Sequence, residues 1–317
     1  MQVLRMLSLG PFVGLALLLM SAGASGAEVP RIVTTLPPIH SLAAAVAEGV
    51  TTPHLLLRGG TSPHTYTMAP SDARALQHAH LVVWVGPTME TFLARALRDP
   101  RPGRRVLTLK DGAGVIVLET REGGLFDAHE HDHDDEHGHD EDHTHMDGHL
   151  WLDPKNAVRI VELIADSLIE LDPGNAAIYR ANAERTTARL VRLDTDLAAI
   201  LGPVKDRSFI VFHDAYQYLE RRYDLTAAGS ITVAADRKPG AKRLREIRDR
   251  LVGAGAACVF AEPQFPPDVV ATLIESTSAR ASVADPLGAA LEPGPELYPT
   301  MMLGLARSLA ACLSPQS

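Results

Sequence analysis

The sequence predicts an α/β protein of two lobes, each with a parallel sheet, joined by a long helix. Three observations carry that expectation. Short β-branched runs alternate with helical patterns along the whole chain, which is the order of βαβ units and therefore of parallel sheets. Runs such as LVVWV at 81–85 are apolar without alternation, as strands are when helices cover both of their faces. After the Pro173-Gly174 pair no Pro or Gly recurs through Ile200, so one helix of roughly 27 residues, about 40 Å long, can follow. That is the length of a strut between lobes rather than of a core helix.

Taken in order, the first 27 residues hold an early cation, Arg5, an apolar stretch over 6–20 and the small residues Ser25, Gly26 and Ala27. This is the layout of a secretory signal peptide cut after Ala27. The alternative is a retained anchor, but the apolar stretch falls short of the ~20 residues that span a bilayer. The remaining chain of about 290 residues suits two α/β lobes better than one domain. Strands are expected at 31–35, 55–57, 81–85, 106–109 and 115–118, with helices at 39–48, 70–78 and 89–97 among them. Val158, Val161, Leu163, Ile164 and Leu168 recur at helical spacing and mark a helix over 156–171. The alternation resumes with strands at 208–212, 225–228, 257–261 and 282–284 and helices at 216–222, 241–251, 267–276 and 298–312. The expected division is 1–27 signal peptide, 28–172 N-terminal lobe, 173–201 linker helix and 202–317 C-terminal lobe. Cys258 and Cys312 either pair or remain buried thiols, and export favours a pair joining a late strand to the last helix.

Between 127 and 147 the chain reads DAHEHDHDDEHGHDEDHTHMD, with seven histidines, ten acids and no Lys or Arg. Imidazoles and carboxylates are N and O donors, and their pooled charge attracts cations, so a divalent metal ion is the partner that uses them together. His129, His131, His133, His137, His139, His143 and His145 are the candidate ligands there. With almost no aliphatic residue the segment cannot pack, and it reads as a loop; a solvating insert without a metal is the alternative. The formal net charge of −9 becomes about +1 once these ten acids are set aside, so the body of the protein is not an acidic binder of basic partners. No basic stripe interleaved with aromatics is present, which speaks against nucleic acid.

Four further segments place a metal-ligand residue where a strand runs out into a loop: LLRGGTSPHTY with His64, DGHLWLDP with His149, FIVFHDAY with His213 and SVADPLG with Asp285. Ligands collect at the carboxyl ends of strands in open α/β sheets, so these residues can converge in a cleft between two lobes. Three neutral imidazoles and a carboxylate form a tetrahedral N3O set well suited to zinc. Taken singly, His64 could cap a turn, His149 could close the His-rich run, His213 could be a satisfied core histidine, and Asp285 could be a turn residue before Pro286 and Gly288. His40 could face the cleft, whereas His54, His78 and His80 read as structural.

As a set, these segments resemble the zinc-specific solute-binding proteins of bacterial ABC importers, the ZnuA type. LLRGGTSPHTYTMAPSDARALQHAHLVVWVGPTMETFL, GHLWLDP, FIVFHDAYQYLE, CVFAEPQF and DPLG occur in that family's order, and the His-rich insert before HLWL is a hallmark of it. The resemblance implies two Rossmann-like lobes joined by a rigid helix with Zn2+ held in the interlobe cleft by His64, His149 and His213. Asp285 is the fourth position, as direct ligand, as a support for the site, or displaced by water. It also implies a Cys258–Cys312 disulfide. Manganese-binding relatives carry a carboxylate where His213 stands, so the imidazole points to zinc. The implied role is a monomeric periplasmic protein that captures zinc, with help from the His-rich loop, and delivers it to an ABC permease and its ATPase without catalysis. A zinc metallohydrolase and a metal buffer that meets no transporter use the same ligands and are the alternatives. The pattern HExxH occurs once, as HEHDH at 129–133, inside the His-rich run that reads as a loop and not on a helical pattern, and no general base other than Asp285 is nominated, which weighs against the hydrolase.

Overall fold

The computed structural model describes residues 28–98, 100–121, 146–232, 239–266, 268–275 and 277–315. The expected signal peptide and the seven histidines of the acidic run lie outside them. Two parallel four-stranded sheets are present, each covered by helices. The first has β1 (Ile32–Thr34), β2 (His54–Leu55), β3 (Leu81–Trp84) and β4 (Arg105–Thr108) in the order β2-β1-β3-β4. The second has β7 (Phe209–His213), β8 (Ala227–Thr232), β9 (Cys258–Ala261) and β10 (Arg280–Val283) in the order β10-β9-β7-β8. In each sheet the first strand lies between the second and the third. The chain therefore turns one way and then the other about that first strand, and a crevice opens at its carboxyl end.

The expected strand at 115–118 belongs to neither sheet. Leu118–Glu119 forms β5 and pairs antiparallel with β6, Met146–Asp147, in the register Leu118↔Asp147. The last two residues of the acidic run are thus the second strand of a hairpin, and Asp147 is buried. Local patterning misses this because the partner strand lies across the whole insert.

Strand β7 explains how the second lobe is filled. Its alternate residues Phe209 and Val211 join one core, while Ile210 and Phe212 join another on the opposite face, as a period of two requires. The second core is closed by α7 (Ala241–Gly253) and α8 (Asp268–Ile274) through Ile247, Leu251, Val270 and Leu273. The first core is continuous through both lobes. It runs along α1 (Pro37–Ala47), α4 (Pro154–Leu171), α5 (Ala176–Leu201) and α9 (Leu297–Leu313). Helix α4 starts cleanly, because Asp153 accepts from Lys155 N at 2.8 Å and Pro154 fills the first turn. Helix α5 is the long helix between the lobes, yet it is more than a strut: Leu190, Leu193, Leu197 and Leu201 form a buried stripe along it.

Cys258, at the start of β9, is bonded to Cys312 on α9, with Cα atoms 6.2 Å apart. Among the described residues no helix is long and apolar enough to cross a membrane. Closing a loop of 54 residues restricts the unfolded chain by about 4 kcal/mol in the chain-entropy account. Replacing both cysteines by serine is therefore expected to lower stability to urea by roughly that amount, read as a shift of the unfolding midpoint with an unchanged denaturant slope.

Candidate metal centre

His213 is the last residue of β7 and stands at the crevice where its sheet changes direction. Neighbouring β9 runs out into Glu262, so a carboxylate meets the imidazole from the adjacent strand. Glu262 Oε1 accepts from His213 N at 3.3 Å and lies 2.7 Å from His213 Nδ1. Both groups are buried.

His149 follows the β5–β6 hairpin and opens the turn Leu150–Leu152. Asp147 Oδ1 accepts from His149 N at 2.9 Å and lies 2.7 Å from His149 Nδ1. Gly148 between them lies against Met89, where an added Cβ would come within 2.9 Å of Met89 Cε and 3.0 Å of its Cβ; only a residue without a side chain lets the hairpin sit this close. Beyond His149, the Trp151 indole donates to Pro286 O of the other lobe at 2.8 Å.

His64 comes from the loop between β2 and α2 (Pro70–His78), half-buried, with its N–H donated to Ser62 Oγ at 3.3 Å. Tyr66 donates to Asp72 on α2 and ties that loop down. The three imidazole centroids form a triangle with sides of 5.1, 5.8 and 6.1 Å, and one ligand atom from each ring lies within 4.8 Å of the other two.

His149 Nε2 and His213 Nε2 face each other at 3.2 Å. Each ring presents its Nδ1 to an acceptor carboxylate, so Nδ1 carries the proton and Nε2 is left with its lone pair. Two lone pairs at that separation repel unless a positive charge lies between them. A tetrahedral ion with metal–nitrogen bonds of ~2.0–2.1 Å holds its ligand nitrogens about 3.4 Å apart, close to the distance found. Carboxylates behind the imidazoles are the usual device for fixing ring orientation and raising ligand basicity. Burial, reinforced by the two neighbouring rings, lowers the pKa of His64 to about 3, so this ring is neutral and ready to coordinate. Burial also pushes His213 down, but the charge of Glu262 and the hydrogen bond to it outweigh burial, and the net direction is up.

The cavity among these rings has a volume of about 10 Å3 and is closed by Pro63, Trp151, Phe265 and Leu287. It has room for one occupant the size of a water molecule or an ion.

Three of the four residues singled out in the body of the chain therefore converge, and Asp285 stands outside their cluster. Its Oδ1 accepts from Leu287 N, Gly288 N and Gln264 Nε2 at 3.1, 3.0 and 3.3 Å, and its Oδ2 from Ala289 N at 2.7 Å. These bonds fix the loop, with Gly288 at a φ of 69°, that brings Pro286 and Leu287 to the cavity wall. His40 is buried elsewhere, 3.1 Å from Pro53 O, and His54 lies 3.3 Å from Asp72. Asp147 and Glu262 are the functional groups that sequence reasoning missed. The first was hidden among the acids of the insert; the second sits in CVFAEPQF, directly after a strand, and its place beside His213 depends on β9 lying next to β7.

The family described as "Zinc-uptake complex component A periplasmic" matches residues 32–312 of this chain. The high-affinity zinc uptake system protein ZnuA of Brucella suis biovar 1 (strain 1330) is 44% identical over 309 residues, covering 90% of this chain and 92% of the relative. The protein of the same name from Yersinia pestis is 35% identical over 290 residues, covering 89% and 91%. Among solved structures, a ZnuA deletion mutant with zinc bound superposes with a TM-score of 0.75 at 26% identity, over 92% of this chain and 100% of that one.

Because Glu262 raises the His213 pKa, an incoming cation must displace a proton from that ring at pH values above the ordinary histidine range of ~6.5. Affinity for a divalent ion is expected to fall as pH drops through that region. Glu262→Gln should move the fall to lower pH and weaken binding near pH 8 by about 10–100-fold, measured by competition with a chromophoric chelator at a series of pH values.

Proposed function

The chain belongs to the family of zinc-uptake component A proteins, and we propose on that footing that it is a periplasmic carrier which binds Zn2+ in the interlobe cavity and hands it to an ABC permease and its ATPase. The observation that carries the reading is the pair of Nε2 atoms facing each other at 3.2 Å, one from each lobe, with a third neutral imidazole beside them. His64, His149 and His213 are the proposed ligands. Asp285, through its bond from Gln264 and its hold on the loop at 287–289, is proposed as a support whose loss weakens binding less than loss of a ring.

Three imidazoles without a carboxylate in the set suit zinc rather than manganese. The carrier reading is also favoured over a metallohydrolase by the family to which the chain belongs and its zinc-uptake relatives. We propose further that the chain works as a monomer, that residues 1–27 direct export, and that the histidines from His129 to His145 gather zinc in weaker sites. A flexible segment loses conformational entropy when it closes around an ion, whereas rings on the ends of packed strands are already placed.

The test is a calorimetric titration of the exported chain. One tight zinc site is expected beside a weaker class, with Mn2+ unable to displace zinc from the tight site. Deleting 127–145 should abolish the weaker class and spare the tight site; loss of the tight site on that deletion contradicts the assignment. In the deleted background, His64→Ala, His149→Ala and His213→Ala should each weaken the tight site by about 100-fold or more, beyond the effect of removing a supporting partner. Asp285→Ala should cost less than any of them.

A further inference from the structure

Arg121, at the end of the β5 arm of the hairpin, reaches across to the other lobe and meets two carboxylates. Its Nε donates to Asp214 Oδ2 and Oδ1 at 3.0 and 3.2 Å, and its Nη2 also contacts Asp214. Nη1 and Nη2 each donate to Glu220 at 2.9 Å. Asp214 is the residue after His213, and Glu220 lies on α6 (Gln217–Tyr223). The three side chains are 23, 13 and 9% exposed, so this cluster is largely withdrawn from water.

The same hairpin is bonded to α6 at three more points. Leu118 N donates to Tyr218 Oη at 2.9 Å, Tyr218 Oη donates to Asp147 O at 2.6 Å, and Gln217 Nε2 donates to Glu119 O at 3.0 Å. Asp147 is the residue that holds His149. One end of this chain of contacts therefore supports the His149 ring from the N-terminal lobe, and the other end borders the His213 ring of the C-terminal lobe. A planar guanidinium satisfies both carboxylates bidentately, which a lysine could not do.

We propose that Arg121 is a positioning residue for zinc retention: by clasping the hairpin to Asp214 and Glu220 it keeps the His149 and His213 rings in register across the cleft, and so slows escape of the ion. The inference rests on the reading of these histidines as zinc ligands. Removing the guanidinium leaves two carboxylates side by side in a mostly buried place. The hairpin then loses its charged bonds to Asp214 and Glu220 while keeping its neutral bonds to α6, and the ring it supports can drift from its partner.

The test compares zinc release from the loaded protein, followed as transfer to a chromophoric chelator in stopped flow, for Arg121→Met and for the charge-free triple variant Arg121→Met, Asp214→Asn, Glu220→Gln. The triple variant contains no unpaired charge, so it decides the matter should the single variant fold poorly. Both are expected to bind one tight zinc, to release it about tenfold or more faster than the unaltered chain, and to take it up at nearly the same rate, since loss of a buried charge pair acts on dissociation. Amide exchange at 118–121 and 146–149 in the loaded variants should quicken in parallel. A merely structural role would lower the melting temperature and leave the release rate at 25 °C unchanged. Release from the triple variant within about twofold of the unaltered chain would overturn the clasp. Failure of the ligand assignment looks different: the unaltered chain would then hold no tight zinc, or would keep it in His149→Ala, and the clasp would fall with it.

Discussion

His149 and His213 approach from opposite lobes until their Nε2 atoms are 3.2 Å apart, and each ring gives its other nitrogen to a buried carboxylate. Nearly everything else around the cleft serves that opposition. A proton can occupy the space between the two lone pairs; burial lowers the His213 pKa, but the charge of Glu262 and the hydrogen bond to it raise it on balance. A divalent cation would do the same with twice the charge and with a third ring, His64, whose lowered pKa keeps it unprotonated. Asp147 and Glu262 supply two negative charges close by, so a dication entering this buried place is balanced and does not remain an isolated charge.

Holding two rings from two lobes in such a position demands that the lobes be fixed relative to one another. Several bonds across the cleft do this close to the site. Trp151, two residues after His149, donates to Pro286 O, and Tyr298 on α9 donates to Trp151 O at 2.8 Å. Farther back, Ser41 on α1 accepts from Tyr298 N at 2.9 Å and donates to Pro295 O at 3.1 Å. Behind these bonds the apolar core runs uninterrupted from one lobe to the other. A wide hinge opening would expose part of that core at about 2.5 kcal/mol for each 100 Å2, so the architecture favours a cleft whose walls move little.

Most of the architecture was legible in the sequence because it is local. The helix at 70–78 was read to the residue, and the buried strands 81–84, 209–213 and 258–261 announced themselves as continuous apolar runs. Helix α1 starts two residues earlier than read because Pro37 and Pro38 occupy its first turn, where a missing N–H costs nothing. Long-range pairing was not legible. Leu118 pairs with Asp147 across the acidic insert, and no periodicity near 118 points to an antiparallel partner. The three converging histidines were legible as a set, through the resemblance of their segments to one family; singly the signals were weak, for His213 ends a strand but His64 lies in a loop well beyond β2. The acids behind two of them were not, since a supporting role depends on which strand neighbours which. For Asp285 the two readings were both open, and its oxygens are given to the backbone N–H groups of 287–289 as the turn residue of a Pro-Gly loop would give them.

The claim on which the account turns is that a single ion sits among three imidazoles in the cleft. X-ray absorption at the zinc edge, on protein lacking 127–145 and loaded with one equivalent of zinc, addresses it directly. A four-coordinate ion with three imidazole nitrogens at ~2.0–2.1 Å and one further light-atom ligand is expected. An ion with one or two imidazoles, or a six-coordinate oxygen shell, would contradict it.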